Sequence, residues 1–133
     1  MKILVTGGYG FIGSRIVEKL SAMGHSISVL DNSEDYGVIS KEELKKLYTW
    51  RQRNWPHVHQ VHGDVTDKLN VLTAFKSTPD VVIHLASYPR AKIVNNDPVF
   101  GTNNIIGGTV NLLWHCQHMS VKKFVFVSSS MIY

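Results

Sequence analysis

The sequence predicts an α/β fold: a doubly wound parallel sheet of about five strands, in spatial order 3-2-1-4-5, with helices on both faces. Three observations predict it. Short β-branched, apolar runs alternate with stretches of helical periodicity along the whole chain. The runs are almost continuously apolar, as strands buried on both faces must be. A glycine-rich turn stands between the first run and the first helical stretch. Strand–helix–strand connections are right-handed, which leaves few ways to arrange such an alternation.

The elements follow in order. Strands are predicted over residues 2–6, 26–30, 57–62, 80–85 and 122–128, each bounded by Gly, Asp, Ser or Pro. The first helix is predicted over residues 11–23, because Ile12, Ile16, Val17, Leu20 and Met23 recur at helical spacing and Gly24 follows as a C-terminal cap. A second helix, about residues 41–51, carries Leu44 and Leu47 among charges. Thr66 is expected to cap a third that continues through Leu69, Leu72 and Phe75. The pair Asp97-Pro98 suits a cap and first turn, and opens a fourth helix reaching about His118.

Composition bounds the answer. The 133 residues, 44% hydrophobic and 18% charged, describe one folded domain and exclude a disordered or collagen-like chain. A chain of this length buries roughly two-thirds of its unfolded surface and needs no disulfide. The single cysteine, Cys116, fits that, and with an N-terminus too short in apolar residues for a leader or span it gives a cytoplasmic expectation. The net charge of +4 is spread thinly except between Lys41 and Arg53, where five basic residues face two acidic ones. Such a surplus suits a phosphate-bearing small ligand as well as nucleic acid.

The informative pattern is Thr6-Gly7-Gly8-Tyr9-Gly10-Phe11-Ile12-Gly13, at the turn from first strand to first helix. Gly7 or Gly8 permits a tight turn, Gly10 lets the backbone approach a pyrophosphate, and Gly13 lets helix and strand pack closely. Free amides and the positive helix end then face the phosphates. This is the dinucleotide fingerprint of a Rossmann-type sheet, with Gly7, Gly10, Phe11 and Ile12 in the cofactor-binding set. Asp31, eighteen residues beyond Gly13, is placed to accept hydrogen bonds from both adenosine ribose hydroxyls, with Asn32 beside it. A ribose 2′-phosphate there would bring like charges within about 4 Å, costing on the order of 4 kcal/mol per charge pair at an effective dielectric of 20, so NAD is expected over NADP. The alternative for Asp31 is a turn cap formed with Asn32. Asp64 and Val65, after the third strand, are candidates for the adenine side, although Asp64 also suits a helix cap. Leu85, Ala86 and Ser87, after the fourth, would let the cofactor lie against backbone.

These residues resemble the extended short-chain dehydrogenase/reductase family, and within it the NAD-dependent nucleotide-sugar epimerases and dehydratases. The resemblance rests on the glycine pattern, Asp31-Asn32, Gly63-Asp64-Val65, Val81-Val82-Ile83-His84-Leu85-Ala86, Gly108-Thr109-x-Asn111-Leu112-Leu113 and Ser128-Ser129-x-x-Ile132-Tyr133. It implies NAD, a nucleotide-sugar substrate and hydride transfer through a transient keto-sugar. Ser129 matches the family's serine or threonine that hydrogen-bonds the reacting sugar oxygen; Ser130 is one residue out of register. The helix asparagine that the family carries ahead of its Gly-Thr pair is Ile105 here, and Asn104 lies one position earlier. Tyr133 matches a non-catalytic tyrosine, and no Tyr-x-x-x-Lys motif, the family's catalytic base and its lysine, follows it in this sequence. The expectation is therefore the N-terminal, cofactor-binding portion of such an enzyme, without the later strands and the substrate domain, able to bind NAD but not to turn over by itself. A homodimer or a missing C-terminal segment is the expected partner. The alternative is a non-catalytic module that binds NAD or another protein.

Two other constellations carry less. On a strand His57 and His59 face one side and His62 the other, and His115 with His118 supplies only two ligands, so no metal site is expected and these two are read as surface or interface histidines. The stretch from Lys45 to Trp55 mixes basic and aromatic residues as single-strand nucleic-acid binders do. The favoured account is a solvated helix with its aromatics packed inward, with neither nucleic acid nor membrane as partner.

Overall fold

A computed structural model describes residues 1–34, 39–55, 57–88 and 91–129, the side chains of 91–93 excepted. Its five strands are β1 (Lys2–Thr6), β2 (Ser26–Asp31), β3 (His59–His62), β4 (Val81–His84) and β5 (Lys123–Phe126). They form one parallel sheet in the order β3-β2-β1-β4-β5, as predicted. The helices are α1 (Phe11–Ala22), α2 (Lys41–Gln52), α3 (Lys68–Phe75), α4 (Ala91–Asn96), α5 (Pro98–Thr102) and α6 (Gly108–His118), with a π-helical turn, Asn103–Gly107, joining the last two.

Alternation along the strands divides the core in two. Leu4, Leu30 and Val82 face the α3 and α6 side with Val71, Ala74, Phe75 and Leu112. Ile3, Val5, Ile27, Val29 and Val81 face the α1 and α2 side with Val17, Tyr9 and Trp55. Both faces of β1 are thus buried, which is why its sequence reads as an unbroken apolar run.

Several expectations are corrected. The inward face of α1 is Gly13, Ser14 and Val17, while Phe11, Ile12 and Met23 are exposed. Ile12 and Met23 satisfy helical periodicity but lie at the helix ends, beyond the reach of the sheet. β3 starts at His59, leaving His57 outside it. The cap of α3 is Asp67, whose carboxylate accepts from the amides of Leu69 and Asn70, whereas the Thr66 hydroxyl donates to Asp64. The core face of α3 is accordingly Val71, Ala74 and Phe75, and Leu69 and Leu72 are exposed. Asp97 caps α5 as expected, by accepting from the Phe100 amide, but the long helix it opens contains the π turn, and α4 precedes it unanticipated. His115 is buried against the Phe75 ring, not on the surface. Tyr48 and Trp55 do pack inward, on Tyr9, but Trp50 lies outside beneath the guanidinium groups of Arg15 and Arg53. Among the described residues no helix is long and apolar enough to cross a membrane, and no three metal-ligating side chains converge.

Candidate dinucleotide site

The site lies at the carboxyl ends of β1, β2 and β4, where a doubly wound sheet opens a crevice. Gly7 follows β1 with φ +71°, a left-handed conformation that strains any side chain, and a Cβ there would stand 2.7 Å from the Ala86 amide nitrogen. The turn is therefore pressed directly onto the Leu85–Ala86 backbone. Gly13 is tighter still: its Cβ would meet the Gly7 carbonyl oxygen at 2.1 Å. Thus Gly13 seats the first turn of α1 on the loop, as its position in the pattern implies.

This close seating leaves donors over. Gly10 occupies the N-cap of α1 without a side chain to satisfy the turn, and its carbonyl accepts from the Ser14 amide. The amides of Phe11, Ile12 and Gly13 then have no acceptor among the described residues. Three unpaired N–H groups at the positive end of a helix form a site for an anion, and the exposed Phe11 and Ile12 side chains leave the approach open.

Asp31 is the last residue of β2, across the crevice from this turn. One carboxylate oxygen accepts from the Tyr9 amide at 2.9 Å, the other from the Ser33 amide at 2.8 Å. The turn-capping role is real, then, and it does not exhaust the group. A carboxylate offers about four acceptor positions, so two remain for a ribose diol. Burial pushes the Asp31 carboxyl above the usual carboxylate range, against the two amide bonds and the charges of His62 and Arg51, which lower it.

Neighbouring loops are cross-linked. The Asn32 amide donates to Asp64 at 2.9 Å, joining the ends of β2 and β3. Asp64 also accepts from the Thr66 amide and hydroxyl, so its carboxyl stays below its usual value despite burial. Val65 is buried, its carbonyl accepts from Asn111, and Gly108 leaves room for its side chain. The Leu85 and Ala86 amides donate to the Thr6 carbonyl and hydroxyl, so both residues floor the crevice, with Ser87 next along the chain. Ser129 is exposed three residues beyond β5, at the same end of the sheet as the glycine turn. Ser130, Ile132 and Tyr133 lie outside the described residues.

Three side chains missed in the sequence complete the frame. Tyr9 is buried, its hydroxyl donating to Gln60 at 2.8 Å; Arg51 reaches from α2 to the Tyr9 carbonyl; and His84 bridges Thr6 and Thr109. A histidine at the end of the apolar run Val81-Val82-Ile83 was the one available signal, since a buried polar group needs partners. The π turn also accommodates the displaced asparagine. It contains one residue more per turn than an α-helix, and within it Asn104 is buried at 5% exposure while Ile105 is only half-buried.

Comparison with known proteins matches residues 3–133 to the model of the NAD dependent epimerase/dehydratase family. The chain is 36% identical over 132 residues to UDP-glucose 4-epimerase 2 of Arabidopsis thaliana, covering 98% of this chain and 37% of that protein. Among solved structures it is similar to Thermus thermophilus UDP-glucose 4-epimerase in complex with NAD, with TM-score 0.78 and 37% identity over 97% of this chain and 38% of that one. It is similar also to the Bifidobacterium longum UDP-glucose 4-epimerase in complex with NAD+ and UDP, with TM-score 0.81 and 30% identity over 100% of this chain and 38% of that one. The chain thus spans a little over a third of the length of these relatives.

Proposed function

The chain belongs to the NAD dependent epimerase/dehydratase family, and on that premise we propose that it forms the NAD-binding portion of a nucleotide-sugar epimerase or dehydratase. One observation carries this reading. The unpaired amides of Phe11, Ile12 and Gly13 and the Asp31 carboxylate belong to one hydrogen-bonded loop, linked through the Tyr9 amide. An anion on the amides and a diol on the carboxylate are the two ends of an adenosine diphosphate, so a single ligand satisfies both.

When bound, NAD supplies hydride acceptance and return at a sugar carbon. Gly7, Gly10, Phe11 and Ile12 hold the diphosphate, Asp31 the ribose, and Asn32, Asp64 and Val65 the adenine side. Leu85, Ala86 and Ser87 form the surface on which the cofactor rests. Ser129, exposed at the crevice end of the sheet, hydrogen-bonds the reacting sugar oxygen and holds it for proton transfer. A cytoplasmic location belongs to the same reading.

A test on the full-length protein is interconversion of UDP-glucose and UDP-galactose, with NAD affinity measured beside it. Ser129→Ala should slow turnover by on the order of a hundredfold and leave NAD affinity unchanged. The second reading, a module that binds NAD or another protein without turnover, is favoured by the exposed Val99, Ile106, Val110 and Trp114 along the α5–α6 helix. NAD binding without any turnover of nucleotide sugars would select it.

A further inference from the structure

We propose that Arg51 is a positioning residue of the dinucleotide site: its guanidinium, delivered from α2, fixes the bend of the glycine loop through the carbonyl of Tyr9, the residue whose amide binds Asp31, and so brings a positive charge near that carboxylate. The inference rests on the NAD reading of the loop and adds a residue outside the glycine pattern, on a helix that the pattern does not include.

The geometry begins with Tyr9. Its amide donates to Asp31 at 2.9 Å, its carbonyl accepts from Arg51 Nη1, and its hydroxyl donates to Gln60 at 2.8 Å. The ring sits 5.4 Å from that of Tyr48 and 6.0 Å from that of Trp55. Every polar group of this residue is therefore engaged, and the loop is pinned on its inner side just before the free amides begin. The Tyr9 carbonyl is also the group that the Gly13 amide would reach in a regular helical turn, four residues back. Arg51 binds that carbonyl, and the Gly13 amide, in the first turn of α1, has no acceptor among the described residues.

α2 is otherwise an odd helix to lie there. Ser40 and Glu43 form a capping box at its start, yet none of its residues is fully buried; Leu44, Leu47 and Tyr48 are half-buried, and Tyr48 packs against the core. Its ties to the loop are specific ones, the Tyr48 ring against Tyr9 and the Arg51 guanidinium. An arginine fits the place because its planar fork can bond a carbonyl while its delocalised charge faces a second group. Arg51 and Asp31 feel one another's charge, and so do Arg51 with Tyr48 and Arg15, and Asp31 with His62 and Tyr9. The Asp64 carboxylate is bonded to Asn32, the next residue along from Asp31, and the Gly63 amide donates to the Asp31 carbonyl.

Two readings on the full-length protein test this. In the first, the Asp31 carboxyl is titrated by carbon-13 NMR in the absence of cofactor. Arg51→Gln should move its midpoint upward, and Arg51→Lys, which keeps the charge, should leave it near the wild-type value. In the second, NAD is titrated calorimetrically between pH 5 and 8. Arg51→Gln should weaken binding about tenfold at pH 7.5 and lose affinity on acidification at a higher pH than wild type. Arg51→Lys should bind NAD at an intermediate strength, because it loses the fork, with an unchanged melting temperature. An unmoved Asp31 midpoint together with wild-type NAD affinity in Arg51→Gln would overturn the proposal. Wild-type protein that binds no NAD would overturn the functional reading instead, and the carboxyl titration would still report the influence of Arg51 on Asp31.

Discussion

His84 and Thr6 are joined at the carboxyl ends of adjacent strands, with Nδ1 and Oγ1 2.7 Å apart and both side chains buried. The other ring nitrogen lies 3.0 Å from the Thr109 hydroxyl, whose proton goes to the Ile105 carbonyl at 2.6 Å. Thr109 can therefore only accept from His84, so Nε2 carries the proton and Nδ1 accepts from Thr6. The Thr6 hydroxyl in turn accepts from the Ala86 amide at 3.2 Å. One neutral imidazole thus fixes the floor of the crevice and the start of α6 in a single chain of hydrogen bonds, every donor matched to an acceptor.

That network predicts a pH dependence. Burial lowers the His84 imidazole from 6.5 to about 4. Between those values the unfolded chain takes up a proton that the folded one refuses, so stability falls as pH falls through this window and is fully present above it. The loss is about 2 kcal/mol between pH 8 and 5, at 1.36 kcal/mol per unit. Urea unfolding at both pH values should show it, and His84→Gln, less stable at pH 8, should show a smaller decline.

The glycine turn predicts a second outcome. Gly13→Ala places a methyl group 2.1 Å from the Gly7 carbonyl oxygen, where backbone must move. We expect a loss of stability of about 1–3 kcal/mol and a loss of NAD affinity larger than tenfold. Gly24→Ala, with open space around its Cβ and φ +81°, should cost only its backbone strain and leave NAD affinity alone. Thermal melting and calorimetric titration of the two variants separate the effects.

A third prediction concerns α3. Asp67→Ala removes an acceptor shared by two amides and should destabilise the protein by about 1 kcal/mol in denaturant unfolding. Thr66→Ala leaves both of those bonds intact and should cost less. The reverse order would reinstate Thr66 as the cap.

The strand order and the glycine turn were legible because each depends on local pattern: β1 is apolar on both faces, and Gly7 and Gly13 meet backbone that must lie next to them in any such turn. The place of Asp31 at the end of β2 was legible from its distance to the glycines along the chain. What escaped was set by contacts between distant segments. Helical periodicity places Ile12 and Met23 with Val17, but only the sheet decides that the first two lie beyond its edge. Thr66 and Asp67 are both good caps in isolation, and the Asp64 carboxylate settles the choice by engaging the Thr66 hydroxyl. Arg51 reads as one more cation in a basic run, because its partner Tyr9 lies 42 positions away. The π turn likewise has no local signature, and the one-residue offset of Asn104 was its only trace.

The most direct measurement is a calorimetric titration of the full-length protein and its Asp31→Ala variant with NAD and with NADP. The wild type should bind NAD at least tenfold more tightly than NADP, since a 2′-phosphate would face the Asp31 carboxylate at close range. Asp31→Ala should lose most of its NAD affinity and the discrimination with it. Equal wild-type affinity for the two cofactors, or an Asp31→Ala protein that binds NAD as wild type does, would contradict the account.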